Sequence, residues 1–131
     1  MQKGATYLGV DVGGTRLKMG LVCDGAVISR AIVPVHMTTA DALVATIATA
    51  GRQLATESER ELAGVGVGIA GVLGVGGGPV LKSPNLPWLD GVDLRSPLAE
   101  ALGVGVRCDN DANCVGWGEA MAGAGRGQRD Q

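Results

Sequence analysis

Apolar residues recur along this chain with two different periods, and each change of period marks a new element. From Tyr7 to Val12 they are nearly continuous, the pattern of a buried strand. Gly13 and Gly14 break the run. Leu17, Met19 and Leu21 then alternate with Lys18, Gly20 and Val22, which predicts a second strand. Asp24-Gly25 is a strong hairpin turn, and Ala26 to Val33 predicts a third strand stopped by Pro34. The period then lengthens. Leu43, Ile47, Ala50 and Leu54 fall at i, i+4, i+7 and i+11, one face of an amphipathic helix. Thr38 and Asp41 have the spacing of a helix-start box, and Glu57, Glu59, Arg60 and Glu61 form a solvated exit. Val65 to Ile69 predicts a strand, Gly71 to Gly78 a loop or small β excursion, and Ser83 to Pro87 a turn-rich loop. Leu94, Leu98 and Leu102, between Asp93 and Gly103, predict a second helix. Val104 to Cys108 is a last strand and Ala112 to Ala122 a last helix.

The resulting order is β-β-β-α-β-α-β-α. Three hairpin-linked antiparallel strands followed by α-β crossovers imply one mixed sheet with helices on its faces, an α/β fold. With 131 residues there is room for one domain and a real core. Phe is absent, with one Tyr and two Trp, so that core must be aliphatic. The 23 glycines lack a collagen-like period and sit within and between apolar runs, which points to close backbone approaches rather than disorder. The polar, glycine-rich stretch from Gly123 to Gln131 resembles a linker that stops before a further domain.

Charge and cysteine usage narrow the function. The formal net charge is −2 and no basic stripe exists, which disfavours a nucleic-acid partner. Met1 to Thr6 has no apolar signal core and no run approaches a membrane span, so a cytoplasmic chain with no membrane partner is expected. Cys23, Cys108 and Cys114 lack Cys-x-x-Cys spacing, and a single His leaves little for a zinc site.

Two polar clusters carry candidate chemistry. In Asp11-Val12-Gly13-Gly14-Thr15, glycines after a strand let backbone N–H groups turn toward an anion, and Asp11 could hold Mg²⁺ through water. A plain hairpin turn with an Asp at its edge would look the same. No P-loop Gly-x-x-x-x-Gly-Lys-Ser/Thr is present. In Asp109 to Asn113, four Asp or Asn side chains occupy five positions, more than a helix N-cap requires. Asp111 at a helix start would be held ionised by the helix dipole, as a proton acceptor needs. Asn110 can both donate to and accept from a hydroxyl. Asn85, framed by Pro84 and Pro87, is either a turn residue or a hydroxyl ligand. Residues 66–71 match Gly-x-Gly-x-x-Gly, but the glycine- and proline-rich stretch after Val72 cannot open the helix that a dinucleotide site needs.

With both clusters in hand, the chain resembles the N-terminal domain of a ROK-family sugar kinase of the bacterial glucokinase type. The resemblance rests on Leu8 to Thr15, Gly68 to Gly71, Ser83 to Leu86, and Asn110 to Asn113 with Gly118-Glu119, in the family's order. It implies an actin-like, ribonuclease-H-like fold, with residues 1–131 as the smaller of two domains around a cleft. It also implies that Asp11, Val12, Gly13, Gly14, Thr15 and Arg16 meet the phosphates of ATP, with Mg²⁺ at Asp11. Gly71, Asn85 and Asn110 would bind the hexose, glucose first among candidates, and Asp111 would be the general base. Glu119 would lie on a helix surface or behind the site. The parent protein is expected to be a homo-oligomer. The family's second domain, with its adenosine pocket and zinc site, is not in this sequence, so the isolated chain is expected to be inactive and to expose an apolar patch. The departures are Arg16, Ala70, the glycine-rich Gly74 to Gly78 and Trp88 directly after Pro87; they bear on sugar specificity. The rival readings are a sugar-responsive transcription regulator, for which no helix-turn-helix precedes Asp11, and a non-catalytic actin-like ATPase module.

Overall fold

A computed structural model of the chain describes residues 5–69, 72–73, 80–82 and 86–109. The opening meander forms as the alternation predicts. Strands β1 (Thr6–Val12), β2 (Arg16–Cys23) and β3 (Ala26–Pro34) pair antiparallel. Asp24 and Gly25 take positive φ values of 53° and 80° between β2 and β3, the backbone of a tight two-residue hairpin. Pro34 is the last residue of β3, which is tolerable because β3 lies at the edge of the sheet.

Helix α1 (Ala40–Glu57) crosses over and returns the chain to β4 (Leu62–Ile69), parallel to β1. Its N-cap is Thr39 rather than Thr38. The Thr39 hydroxyl accepts from the Ala42 N–H at 3.2 Å, whereas Thr38 is one residue too early to reach it. Leu43, Ile47 and Leu54 are buried as their spacing predicts and Ala50 packs against the same core, while Gly51 beside it lies directly over Leu8 of β1. A Cβ at Gly51 would lie 2.6 Å from a methyl group of Leu8, so the absent side chain is what seats the helix on β1.

The small β excursion is a two-stranded antiparallel pair, β5 (Val72–Leu73) and β6 (Val80–Lys82). A 3₁₀ turn at Pro87–Leu89 precedes α2 (Arg95–Leu102). Asp93 starts α2, accepting from the N–H groups of Arg95 and Ser96, and Gly103 ends it at φ 71°. The Arg52 guanidinium donates to the Ala101 carbonyl and ties the two helices together. Strand β7 (Val106–Asp109) then pairs parallel with β4. The expected helix from Ala112 to Ala122 lies outside the described residues.

The main sheet has the order β3-β2-β1-β4-β7. One face carries Leu8, Val10, Val12, Leu17, Met19, Leu21, Val65, Val67 and Ile69, all at most 2% exposed, packed in one cluster with Leu43, Ile47 and Leu98 of the helices. The core is aliphatic, as the shortage of aromatics requires. Among the described residues no helix is long and apolar enough to cross a membrane.

Candidate functional site

The site begins where β1 ends. Three residues, Gly13 to Thr15, connect β1 to β2. The Gly13 N–H donates to the Arg16 carbonyl at 3.0 Å and closes the turn. A Cβ on Gly13 would stand 2.9 Å from that same oxygen, closer than real Cβ contacts come, so this position admits only glycine without a backbone shift. The Thr15 carbonyl accepts from the Val35 N–H at 2.9 Å, which pins the turn to the end of β3. Gly13 thus spends its own N–H on the turn. The N–H groups of Gly14 and Thr15 make no hydrogen bond among the described residues, and both residues are exposed. An anion would meet those donors rather than Gly13.

Side chains around the turn divide by strand alternation. Val12 is 2% exposed and belongs to the core, so it can offer a ligand only backbone. Asp11 lies on the opposite face, half-buried and with an interaction of its own. Arg16 is exposed at the start of β2.

Register extends the site across the sheet. Asp11 pairs with Gly68 of β4, and Gly68 pairs with Asp109 of β7. The three strands are parallel, and all end at one edge. Gly71 follows the end of β4 by two residues, and Asn110 and Asp111 follow β7 directly. β1 and β7 are separated only by β4, a span of about 10 Å at the usual strand spacing. In open α/β sheets ligands bind outside the carboxyl ends of such strands. Gly71, Asn85, Asn110, Asp111 and Glu119 themselves lie outside the described residues. Leu86, next to Asn85 in the sequence, is itself buried at 3% exposure.

Two groups near the end of β7 have shifted pKa values. Burial pushes the Cys108 thiol up to about 11, so at neutral pH it is an uncharged packing group and not a nucleophile. The Asp93 carboxyl is held below its ordinary value, chiefly by its hydrogen bond with the Ser96 side chain and by the N–H groups at the start of α2. This marks Asp93 as a helix cap. Among the described residues no group of three or more His, Cys, Asp or Glu side chains could hold a metal. One carboxylate, such as that of Asp11, suits Mg²⁺, which keeps most of its shell as water and substrate phosphate.

One residue beside the turn is missing from the sequence reading. Lys18 pairs directly with Asp11 across β1 and β2 and is exposed. The signal was the alternation itself, which sets residues 16 and 18 on one face once β2 is known to start at Arg16.

The sequence profile of the ROK family matches residues 7–131. The chain belongs to the ROK family. A glucokinase of Streptomyces coelicolor is 35% identical over 127 residues, covering 94% of this chain and 38% of that protein. An N-acetyl-D-glucosamine kinase of Escherichia coli O1:K1 / APEC is 33% identical over 118 residues, covering 87% and 37%. The crystal structure of a ROK family glucokinase from Streptomyces griseus in complex with glucose and AMPPNP superposes with a TM-score of 0.75 at 32% identity, covering 94% of this chain and 38% of that one. The mixed five-stranded sheet is accordingly the actin-like, ribonuclease-H-like fold of ROK sugar kinases. The chain spans less than two fifths of the length of these relatives.

Proposed function

We propose that this chain is the N-terminal domain of a sugar kinase that transfers the terminal phosphoryl group of ATP to a hexose hydroxyl, with glucose the foremost substrate. The observation that carries the reading is the shared row Asp11–Gly68–Asp109, which brings the ends of β1, β4 and β7 side by side. The phosphate-type turn and the strand leading to Asn110-Asp111 therefore share one edge. The kinase relatives support the same reaction class.

In this reading the exposed N–H groups of Gly14 and Thr15 and the Arg16 guanidinium receive the donor's phosphates. Asp11 would hold Mg²⁺ through water, and the ion, when bound, would offset phosphate charge. Asn110, Asn85 and Gly71 would orient the sugar. Asp111 would take the proton from the attacking hydroxyl, so that the oxygen approaches phosphorus in line with the leaving group. Both substrates also need a second wall, so the 131-residue chain alone is expected to be inactive.

The test is ADP release from ATP and glucose by the protein of which this chain forms the N-terminal domain. Asp111→Ala should lower turnover by about 10² to 10⁴ while glucose affinity is kept. Full turnover in that variant would refute the assignment of the base. Failure of the unaltered protein to phosphorylate any hexose would refute the reaction.

A further inference from the structure

A cleft of about 340 Å³ lies where β4 begins, and its lining includes the polar Arg52, Thr56, Arg60 and Glu61 and the apolar Leu62 and Leu102. From Leu62 to Gly68 is six steps along β4, about 20 Å at the usual rise, so this cleft is separate from the candidate site at the other end of the strands. The C-terminal ends of both helices meet here, and their carbonyls already have donors. Glu59 takes a φ of 56° after α1 and turns the chain back, so that the N–H groups of Ser58, Glu59 and Arg60 reach the carbonyls of Leu54, Thr56 and Ala55. At the end of α2 the Gly103 N–H meets the Ala99 carbonyl and the Arg52 guanidinium meets that of Ala101. Arg60 also donates to the Cys23 sulfur at 3.4 Å. Two guanidinium groups thus face a single carboxylate, Glu61, across the lining. Arg52 and Thr56 are four residues apart on α1, so their side chains are neighbours. Among the described residues Arg52 makes no other side-chain hydrogen bond and the Thr56 hydroxyl makes none.

We propose that this cleft binds a small phosphorylated polyol, with its phosphate on Arg52 and Thr56 and its hydroxyls toward Glu61. A guanidinium fork meets two oxygens at once, and the neighbouring hydroxyl can donate to a third. That set of donors matches the three terminal oxygens of a phosphomonoester better than the two of a carboxylate. Arg60 adds a second permanent positive charge against a dianion. An ionised Glu61 can only accept, so it favours a ligand body that carries hydroxyl donors over bare phosphate. Leu62 and Leu102 offer apolar surface to that body, and the volume is within the range of small-ligand sites. A bound ligand would join the end of α1, the start of β4 and the end of α2. The cleft is independent of the kinase reading of the glycine turn. The competing account is that Arg52 and Arg60 serve only as ties between elements.

Titration of the ¹⁵N-labelled 131-residue chain with glucose 6-phosphate, inorganic phosphate, glucose and acetate, read by amide shifts, separates these accounts. The variants are Arg52→Lys and Thr56→Val, each with its thermal midpoint recorded to show that it folds. Glucose 6-phosphate should give saturable shifts at residues 52–62 and at Leu102, with inorganic phosphate weaker and with glucose and acetate inactive there. Arg52→Lys keeps the charge and loses the fork, and should weaken glucose 6-phosphate by roughly 10-fold. Thr56→Val removes only an exposed hydroxyl and should weaken it by roughly 5-fold at an unchanged thermal midpoint. Shifts confined to Gly13–Arg16, or no saturable shift with either phosphate, overturn the proposal, and the first of these leaves the kinase reading standing. Full affinity in both variants overturns it as well, since the arginines are then ties alone. Equal affinity for glucose 6-phosphate and inorganic phosphate overturns the assignment of a polyol and the role of Glu61.

Discussion

Strands β1 and β2 present two faces that share a backbone and little else. On one, Leu8, Val10, Met19 and Leu21 are at most 2% exposed and lie under α1. On the other, the alternate positions are Tyr7, Gly9 and Asp11 of β1 and Lys18, Gly20 and Val22 of β2, of which Val22 is buried. The first face carries the hydrophobic free energy that holds the sheet to its helices. The second buries Val22 at its far end and carries charge, Asp11 and Lys18, at the end near the Gly13 turn. The difference shows how one pair of strands can hold the sheet to its helices on one side and present charge on the other, because successive side chains point to opposite faces.

The sharpest way to break this comparison is to cut adjacent residues of β2. Met19→Ala should cost about 2–5 kcal/mol, since its side chain is 2% exposed in the core. Lys18→Ala, one residue away, should change stability by no more than about 0.5 kcal/mol. Urea unfolding of the two variants measures both. Equal losses would mean that the second face is also structural.

Gly13→Ala probes the boundary between the faces. Its new Cβ would meet the Arg16 carbonyl at 2.9 Å, so the turn must shift, at about 1–3 kcal/mol. The same variant should lose affinity for tripolyphosphate, because the Gly14 and Thr15 donors move with the turn. Unchanged stability and binding would show that the turn is not tightly held.

The smallest effect is expected from pH. The folded Asp93 carboxyl titrates below its ordinary value of 3.8, so the stability it contributes is present above 3.8 and is lost as pH falls through the lower folded value. Thermal midpoints of the unaltered chain and Asp93→Ala should therefore differ at pH 6 and converge in more acid solution. Asp93 serves the helical side of the sheet, so ligand binding should not follow this titration. A difference that persists unchanged into acid would assign the cap to packing instead of charge.

Much of the architecture was legible because strand alternation and helical periodicity are local. The meander, the Asp24-Gly25 turn, both crossover helices and the Gly103 stop follow from spacing alone. The departure at the start of α1 is also local in kind. An Asp stands three residues after Thr38, yet Thr39 has the reach to the Ala42 N–H and caps the helix. Ala50 packs against the core as its periodicity predicts; what periodicity does not reveal is that Gly51 beside it seats the helix, where the absent side chain lets Leu8 come close. At the candidate site, the residue types of the Asp11 turn could be read directly. Lys18 was passed over because its importance depends on which residue faces it across the sheet.

The amino-acid order by itself determined the elements, the aliphatic core and membership of the ROK family, since each is written in neighbouring residues. Only the tertiary structure decided that Asp11, Gly68 and Asp109 share one row, that Gly13 uses its N–H within the turn, and that Lys18 stands opposite Asp11. Those facts depend on strand order and register, which are set by the packing of segments far apart in the chain and by the crossovers that join them.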